Sequence, residues 1–147
     1  MSLRPSAGPV SGVSAVRVLV IDRNEDAAES LALILRLSGY SVRTAADGLA
    51  GVDAITGFAP HAVILELRLA GLDGFGVIEW TAARPVERRP FMIVLTGYLH
   101  DHDRHRLSSL GVGRIVLKPA DPAELVDFLS GVCGPSLSEE GALLPSG

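Results

Sequence analysis

The sequence predicts an α/β protein with a doubly wound parallel sheet of five strands and helices on both faces. Three observations support this prediction. Five strand-like segments alternate with five helical patterns, which is the order of a sheet built from βαβ units. Four of the strands are short apolar runs of the kind that is buried on both faces. Each of these four runs ends on a polar side chain.

The central strand is the run that leads into Glu66, and the other elements follow around it in chain order. The predicted strands are Arg17–Ile21, Ser41–Ala45, Ala62–Leu65, Phe91–Leu95 and Arg114–Leu117. The predicted helices cover about 25–38, 48–56, 74–83, 100–110 and 122–133. The fourth helix is mostly polar, so we expect it to be weakly anchored and to open easily. The fifth is expected to bury Leu125, Phe128, Leu129 and Val132.

The length and composition of the chain indicate one small domain between two tails. The chain has 147 residues, of which 48% are hydrophobic, enough to bury a core and too apolar for a disordered chain. The elements fall within 16–133, so we expect 1–15 and 134–147 to be flexible tails. No apolar run approaches the ~20 residues that a membrane span needs, and no secretory signal is evident. We therefore expect a cytoplasmic protein.

The net charge and the cysteine content argue against nucleic-acid binding, an internal disulfide and a zinc site. A net charge of −4 argues against nucleic acid as a direct partner. The single cysteine, Cys133, excludes an internal disulfide and offers no zinc pattern. His100, His102 and His105 lie among acidic residues and could suggest a metal site, but a solvated helix explains them as well. We expect no metal.

The polar residues at the four strand ends are the candidate site. Asp22, Glu66, Thr96 and Lys118 each follow or end an apolar run. In a parallel sheet these ends fall on the same edge, where open α/β folds place their ligands. Lys118 is the only lysine in the chain, against twelve arginines. A compact ammonium at this position differs chemically from the guanidinium groups used elsewhere.

Five segments in order resemble the receiver domain of two-component response regulators over about residues 16–133. They are V-L-V-I-D-R-N-E-D, A-A-D-G, V-I-L-E-L-R-L-A-G-L-D-G-F, I-V-L-T-G-Y and V-L-K-P. The resemblance implies a flavodoxin-like sheet with strand order 2-1-3-4-5 and a cis peptide bond before Pro119. It also implies a histidine kinase or other signalling protein as partner, with a possible homodimer, through helix four, strand five and helix five.

The resemblance assigns a role to each residue of the candidate site. In the family an aspartate ending strand three accepts a phosphoryl group, and Glu66 holds that position here. A pair of acids after strand one helps to hold Mg²⁺, and Asp22 and Arg23 hold those positions. Thr96 and Lys118 match the two residues that bind phosphoryl oxygens. Ile115 stands at the position of a switch aromatic and is not aromatic.

These departures change the charge at the site. Asp22 and Glu66 face Arg23 and Lys118, so the formal charge is zero, whereas Mg²⁺ prefers an anionic site of oxygen ligands. We therefore expect no cofactor, although the family uses Mg²⁺. We also predict that Arg23 pairs with Glu66 and supplies the positive charge that Mg²⁺ supplies elsewhere.

Two functions follow from this reasoning. The first is a degenerate receiver module, not an enzyme, that acts by protein–protein interaction without phosphorylation. In this reading Glu66 mimics an activated state, or the site has decayed and only the scaffold matters. The alternative is a working phosphoacceptor that takes a phosphoryl group from a histidine kinase. An unrelated small α/β enzyme is disfavoured, because the sequence shows no nucleophile–base pair and no glycine-rich phosphate loop.

Overall fold

The computed structural model describes residues 16–133 and shows a five-stranded parallel sheet with order β2-β1-β3-β4-β5. The strands are β1 (Arg17–Ile21), β2 (Ser41–Ala45), β3 (Ala62–Leu65), β4 (Phe91–Thr96) and β5 (Arg114–Leu117). The helices are α1 (Glu25–Leu37), α2 (Gly48–Phe58), α3 (Gly74–Ala82), α4 (Asp101–Ser109) and α5 (Pro122–Cys133). The predicted fold class and strand order are confirmed. The two predicted tails lie outside the described residues.

Helices cover both faces of the sheet, and each face carries its own apolar core. On one face α1 and α5 pack on the sheet through buried residues that include Leu35 and Leu129. On the other face α2, α3 and α4 contribute Ile55, Ile78 and Leu107. Alternate residues of the central strands feed the two cores, because successive side chains of a strand point to opposite faces.

The strand register brings the carboxyl ends of the strands together. Ile21 of β1 is level with Leu65 of β3, and Leu65 is level with Val94 of β4. Thr96 at the end of β4 is level with Leu117 of β5. The residues that follow β1, β3 and β5 therefore leave the sheet at the edge where β4 ends.

Two predictions about burial were wrong. The short apolar run of β5 predicted a strand buried on both faces, yet β5 is an edge strand and Leu117 is 46% exposed. On α5, Val132 was expected to be buried and is 45% exposed, and Phe128 was expected to be buried and is half-buried. Leu117 and Val132 both lie at the margin of the described fold, where no further element of residues 16–133 covers them.

Candidate functional site

Three polar residues are buried at the carboxyl edge of the sheet. The exposed fractions are 6% for Asp22, 8% for Glu66 and 0% for Thr96. Asp22 and Glu66 directly follow β1 and β3, and Thr96 ends β4. The sequence predicted this grouping from strand ends, and the structure brings these residues together. Buried carboxylates need hydrogen-bonding or charged partners, since an isolated buried charge is costly.

Lys118, which follows β5, is the positively charged partner of both carboxylates. Its Nζ lies 2.8 Å from Glu66 Oε1 and 3.0 Å from Asp22 Oδ2. The Lys118 side chain is 34% exposed, while the two carboxylate side chains are 9% exposed. One ammonium group therefore joins the ends of three strands, and by itself it balances only one of the two negative charges.

The second oxygen of Glu66 is held from the other side. The Thr96 hydroxyl donates to Glu66 Oε2 at 2.7 Å, and the backbone N–H of Arg68 donates to the same oxygen at 3.1 Å. Glu66 therefore has a partner on each carboxylate oxygen. Asp22 is held in a similar way, because its Oδ1 accepts the backbone N–H of Asn24 at 2.9 Å.

Close backbone packing fixes the position of the chain behind Glu66. Asp73 caps α3 by accepting the N–H of Gly76 at 3.0 Å. The backbone N–H of Gly74 donates to the Leu67 carbonyl at 2.9 Å, so α3 begins beside the end of β3. A Cβ atom at Gly74 would lie 2.5 Å from Leu67 Cα and 2.7 Å from the Glu66 carbonyl oxygen. Only glycine permits this approach.

These contacts set the ionisation of the site. Burial alone would raise the pKa of Glu66, because low-dielectric surroundings disfavour the charged carboxylate. The hydrogen bonds from Lys118, Thr96 and the Arg68 backbone, with the charge of Lys118, outweigh burial and hold the pKa of Glu66 below its ordinary value. Burial likewise would lower the pKa of Lys118, but its contacts with Glu66 and Asp22 raise it above its ordinary value.

Arg68 is a site residue that sequence reasoning missed. Its Nη1 donates to Thr96 Oγ1 at 3.4 Å and to the Tyr98 carbonyl at 3.2 Å, and its guanidinium carbon lies 5.6 Å from the centre of the Tyr98 ring. The guanidinium group therefore ties the loop after β4 to the site. The available signal was the position of Arg68 two residues beyond Glu66, which places it in the loop at the same edge.

The predicted pairing of Arg23 with Glu66 was wrong. Arg23 is exposed, and no hydrogen bond or ion pair within residues 16–133 joins its side chain to Glu66. The physical reason is that Lys118, Thr96 and the Arg68 backbone already hold both Glu66 oxygens. A second positive charge does lie near the carboxylates, but it belongs to Arg68, which bonds to the Thr96 hydroxyl that in turn donates to Glu66.

Two other positions named by the sequence also lie at this end of the sheet. The Lys118–Pro119 peptide bond is cis, as expected. Ile115 is half-buried and packs against the core formed by α2, α3 and α4. Tyr98, an aromatic residue in the loop after β4, is 55% exposed.

The donor set does not fit the Mg²⁺ ion that the family uses. The two carboxylates are bonded to Lys118, and position 23 presents an exposed guanidinium group instead of a third acid. Mg²⁺ favours oxygen ligands and an anionic site, whereas Lys118 and Arg68 balance the charge of Asp22 and Glu66 here. Elsewhere in residues 16–133, no cluster of three or more His, Cys, Asp or Glu side chains is arranged to hold a metal ion.

Comparison with known proteins identifies the family. The response regulator receiver domain family matches residues 18–130, which is most of the chain. The chain belongs to this family. Among the described helices, none combines the length and apolar character that crossing a bilayer requires.

Curated relatives of the chain include transcriptional regulatory proteins. The chain is 36% identical over 116 residues to the transcriptional regulatory protein PrrA of Mycobacterium tuberculosis, covering 79% of this chain and 49% of the relative. It is 32% identical over 129 residues to the transcriptional regulatory protein TcrA of the same organism, covering 84% of this chain and 49% of the relative. The chain thus spans about half the length of these curated relatives.

Solved structures show the same fold. The receiver domain of a sensor histidine kinase from Pseudomonas aeruginosa, solved with a magnesium ion in its active site cleft, has a TM-score of 0.72 and 27% identity, covering 82% of this chain and 99% of that one. A putative response regulator from Chloroflexus aurantiacus has a TM-score of 0.72 and 28% identity, covering 80% of this chain and 97% of that one. The receiver domain of this chain is therefore a module of two-component signal transduction.

Proposed function

We propose that this receiver domain signals through protein–protein contacts without being phosphorylated. The observation that carries the proposal is the closed set of contacts around Glu66, whose oxygens are held by Lys118 at 2.8 Å and Thr96 at 2.7 Å. A phosphoryl donor would have to compete with these internal partners. The exposed Arg23 in the acid-pair position removes a ligand that Mg²⁺ would need.

The same contacts favour mimicry over decay. Thr96 and Lys118 match the residues that bind phosphoryl oxygens in the family, and here they hold the Glu66 carboxylate instead. A decayed site would leave buried polar groups without partners, at a cost of about 1–3 kcal/mol for each unsatisfied group. Asp22, Glu66 and Thr96 all have partners, which supports a site retained with a built-in anion.

The test is phosphorylation with a small phosphodonor. The wild-type chain is incubated with acetyl phosphate and millimolar Mg²⁺, and its intact mass is measured beside a receiver with an ordinary aspartate acceptor. We expect no added phosphoryl group and no heat of Mg²⁺ binding by calorimetry. A phosphoryl adduct that disappears in Glu66→Gln would overturn the proposal and support the alternative, a working phosphoacceptor served by a histidine kinase.

A further inference from the structure

A basic groove lies at the edge of the sheet opposite Glu66, where the strands begin. It has a volume of about 1020 Å³ and includes the first residue of β1 and the loop between α3 and β4. Its charged and large apolar lining residues include Arg17, Arg84, Arg88, Arg89, Trp80 and Val86. The chain carries a net charge of −4, so this groove is a local reversal of its overall charge.

Four arginines and one carboxylate residue, Glu87, line the groove. Part of this arrangement has a structural role. Arg17 Nε donates to the carbonyls of Phe58 and Ala59 at 3.0 and 2.9 Å, where α2 ends. Arg89 Nε donates to the Arg84 carbonyl at 2.8 Å.

These structural bonds use only the Nε atoms of two arginines. Within residues 16–133, the terminal nitrogens of Arg17 and Arg89 form no hydrogen bond, and neither does any guanidinium nitrogen of Arg88. A guanidinium group offers five N–H donors. Helix-end capping therefore leaves most of the donors of the groove available, and it does not explain Arg88.

The apolar part of the groove gives it the character of a protein-binding surface. The Arg84 guanidinium carbon lies 4.8 Å from the centre of the half-buried Trp80 ring, and Val86 is 71% exposed beside them. Tryptophan and arginine are among the residues enriched at the energetic centres of protein interfaces. Arginine is also suited to two-point recognition of carboxylates.

We infer that this groove binds an acidic polypeptide segment in which carboxylates alternate with apolar side chains. The carboxylates would pair with Arg84, Arg88 and Arg89, and the apolar side chains would contact Trp80 and Val86. Such a partner would sit at the opposite edge from Glu66 and leave the residues around Lys118 uncovered. The inference does not depend on whether Glu66 accepts a phosphoryl group.

Trp80 is the only tryptophan in the chain, so its fluorescence reports on this groove. The full chain is titrated with a synthetic peptide of alternating glutamate and leucine, about ten residues long, which spans roughly 30 Å when extended. We expect a saturable change in Trp80 fluorescence that weakens with added salt. A peptide with lysine in place of glutamate should give no such change.

Charge reversal then tests the arginines. Arg88→Glu should weaken peptide binding about fivefold or more, because each surface ion pair contributes up to ~1 kcal/mol and reversal adds repulsion. The matched control is Arg104→Glu, which makes the same charge change on α4 at an exposed residue without a side-chain bond in residues 16–133. The control should bind within twofold of wild type.

Three results would overturn the inference. The first is equal binding by Arg88→Glu and wild type, or equal binding of the lysine peptide. The second is absence of peptide binding by wild type and by every variant. The third is absence of binding in wild type but binding in the variant Glu139→Lys with Glu140→Lys, which would identify the chain's own acidic pair as the occupant.

Discussion

At the scale of single residues, Lys118 holds the carboxyl edge of the sheet together. Among residues 16–133, it is the only cation in direct contact with Asp22 and Glu66. Lys118→Met keeps most of the side-chain volume but removes the ammonium group, so two buried carboxylates lose their cationic partner. Breaking a buried ion pair costs about 3–5 kcal/mol. Because Lys118 is 34% exposed, we expect the lower end, about 3 kcal/mol, in the free energy of unfolding measured by urea at pH 7.

The matched control for this substitution is Lys118→Arg. It keeps the positive charge but changes the shape of the donor, so it should lose clearly less stability than Lys118→Met. Equal stability of wild type and Lys118→Met would mean that the two ion pairs contribute nothing measurable.

The contribution of Glu66 to the free energy of unfolding should fall in acid. Its pKa is lowered by folding from an ordinary value of 4.5, so its contribution is fully present above that value. The contribution is lost as the pH falls through the lower pKa of the folded state. Glu66→Gln cannot ionise, so its stability difference from wild type should be largest at neutral pH and shrink below about pH 4.5.

Urea unfolding at several pH values between neutral and strongly acidic conditions measures this effect. Glu87→Gln serves as the control, because Glu87 is exposed and its side chain has no ion pair in residues 16–133. A stability difference for Glu66→Gln that stays constant across this range would contradict the lowered pKa.

How much of the site the sequence could predict is clear from these residues. Strand ends in a parallel sheet fix the positions of backbone atoms, so the grouping of Asp22, Glu66 and Thr96 followed from the apolar runs. The direction of a long side chain does not follow from strand ends. Arg23 was therefore wrongly paired with Glu66, and Arg68, which lies in a loop, was missed.

At the scale of elements, Arg68 should control the mobility of the loop between β4 and α4. Its guanidinium group bonds the Thr96 hydroxyl and the Tyr98 carbonyl. Arg68→Met removes both bonds, and we expect faster amide exchange at residues 97–101 by mass spectrometry. Because the group is near the surface, the loss of global stability should stay within about 1 kcal/mol. Arg104→Met is the control and should leave exchange in this loop unchanged.

The helix α4 should be the least protected helix of the domain. Leu107 is its only fully buried residue, whereas α1 buries Ala28, Leu31, Ala32 and Leu35. Few buried apolar contacts give a low free energy of local opening. Native-state hydrogen exchange should therefore show α4 opening at lower free energy than α1. Protection of α4 equal to that of α1 would contradict this prediction.

The wrong prediction that β5 is buried on both faces has a physical origin. The apolar runs of β3 and β5 look alike, yet β3 is central and β5 is an edge strand. Apolar periodicity reports that a segment contacts a core, but the order of strands decides how many faces and edges are covered. That order came from the family resemblance and not from the run itself.

At the scale of the whole molecule, the charge balance at Glu66 should decide whether the domain responds to a phosphodonor. In wild type, Lys118 and Arg68 neutralise Asp22 and Glu66, so acetyl phosphate with Mg²⁺ should leave amide exchange unchanged throughout the domain. The double variant Arg23→Asp with Glu66→Asp adds one acid, removes one guanidinium group and shortens the acceptor side chain. It should regain Mg²⁺ binding measurable by calorimetry, because the site becomes anionic.

The single variants separate two causes of Mg²⁺ exclusion, namely the charge of the site and the contacts that hold Glu66. If charge alone excludes Mg²⁺, Arg23→Asp should bind the ion with Glu66 still in place, and Glu66→Asp alone should not. If the closed contacts of Glu66 with Lys118 and Thr96 also matter, only the double variant should bind. Since Glu66 is held at 2.8 and 2.7 Å by these partners, we expect the second pattern. Mg²⁺ binding by wild type as tight as by the double variant would show that neither cause operates.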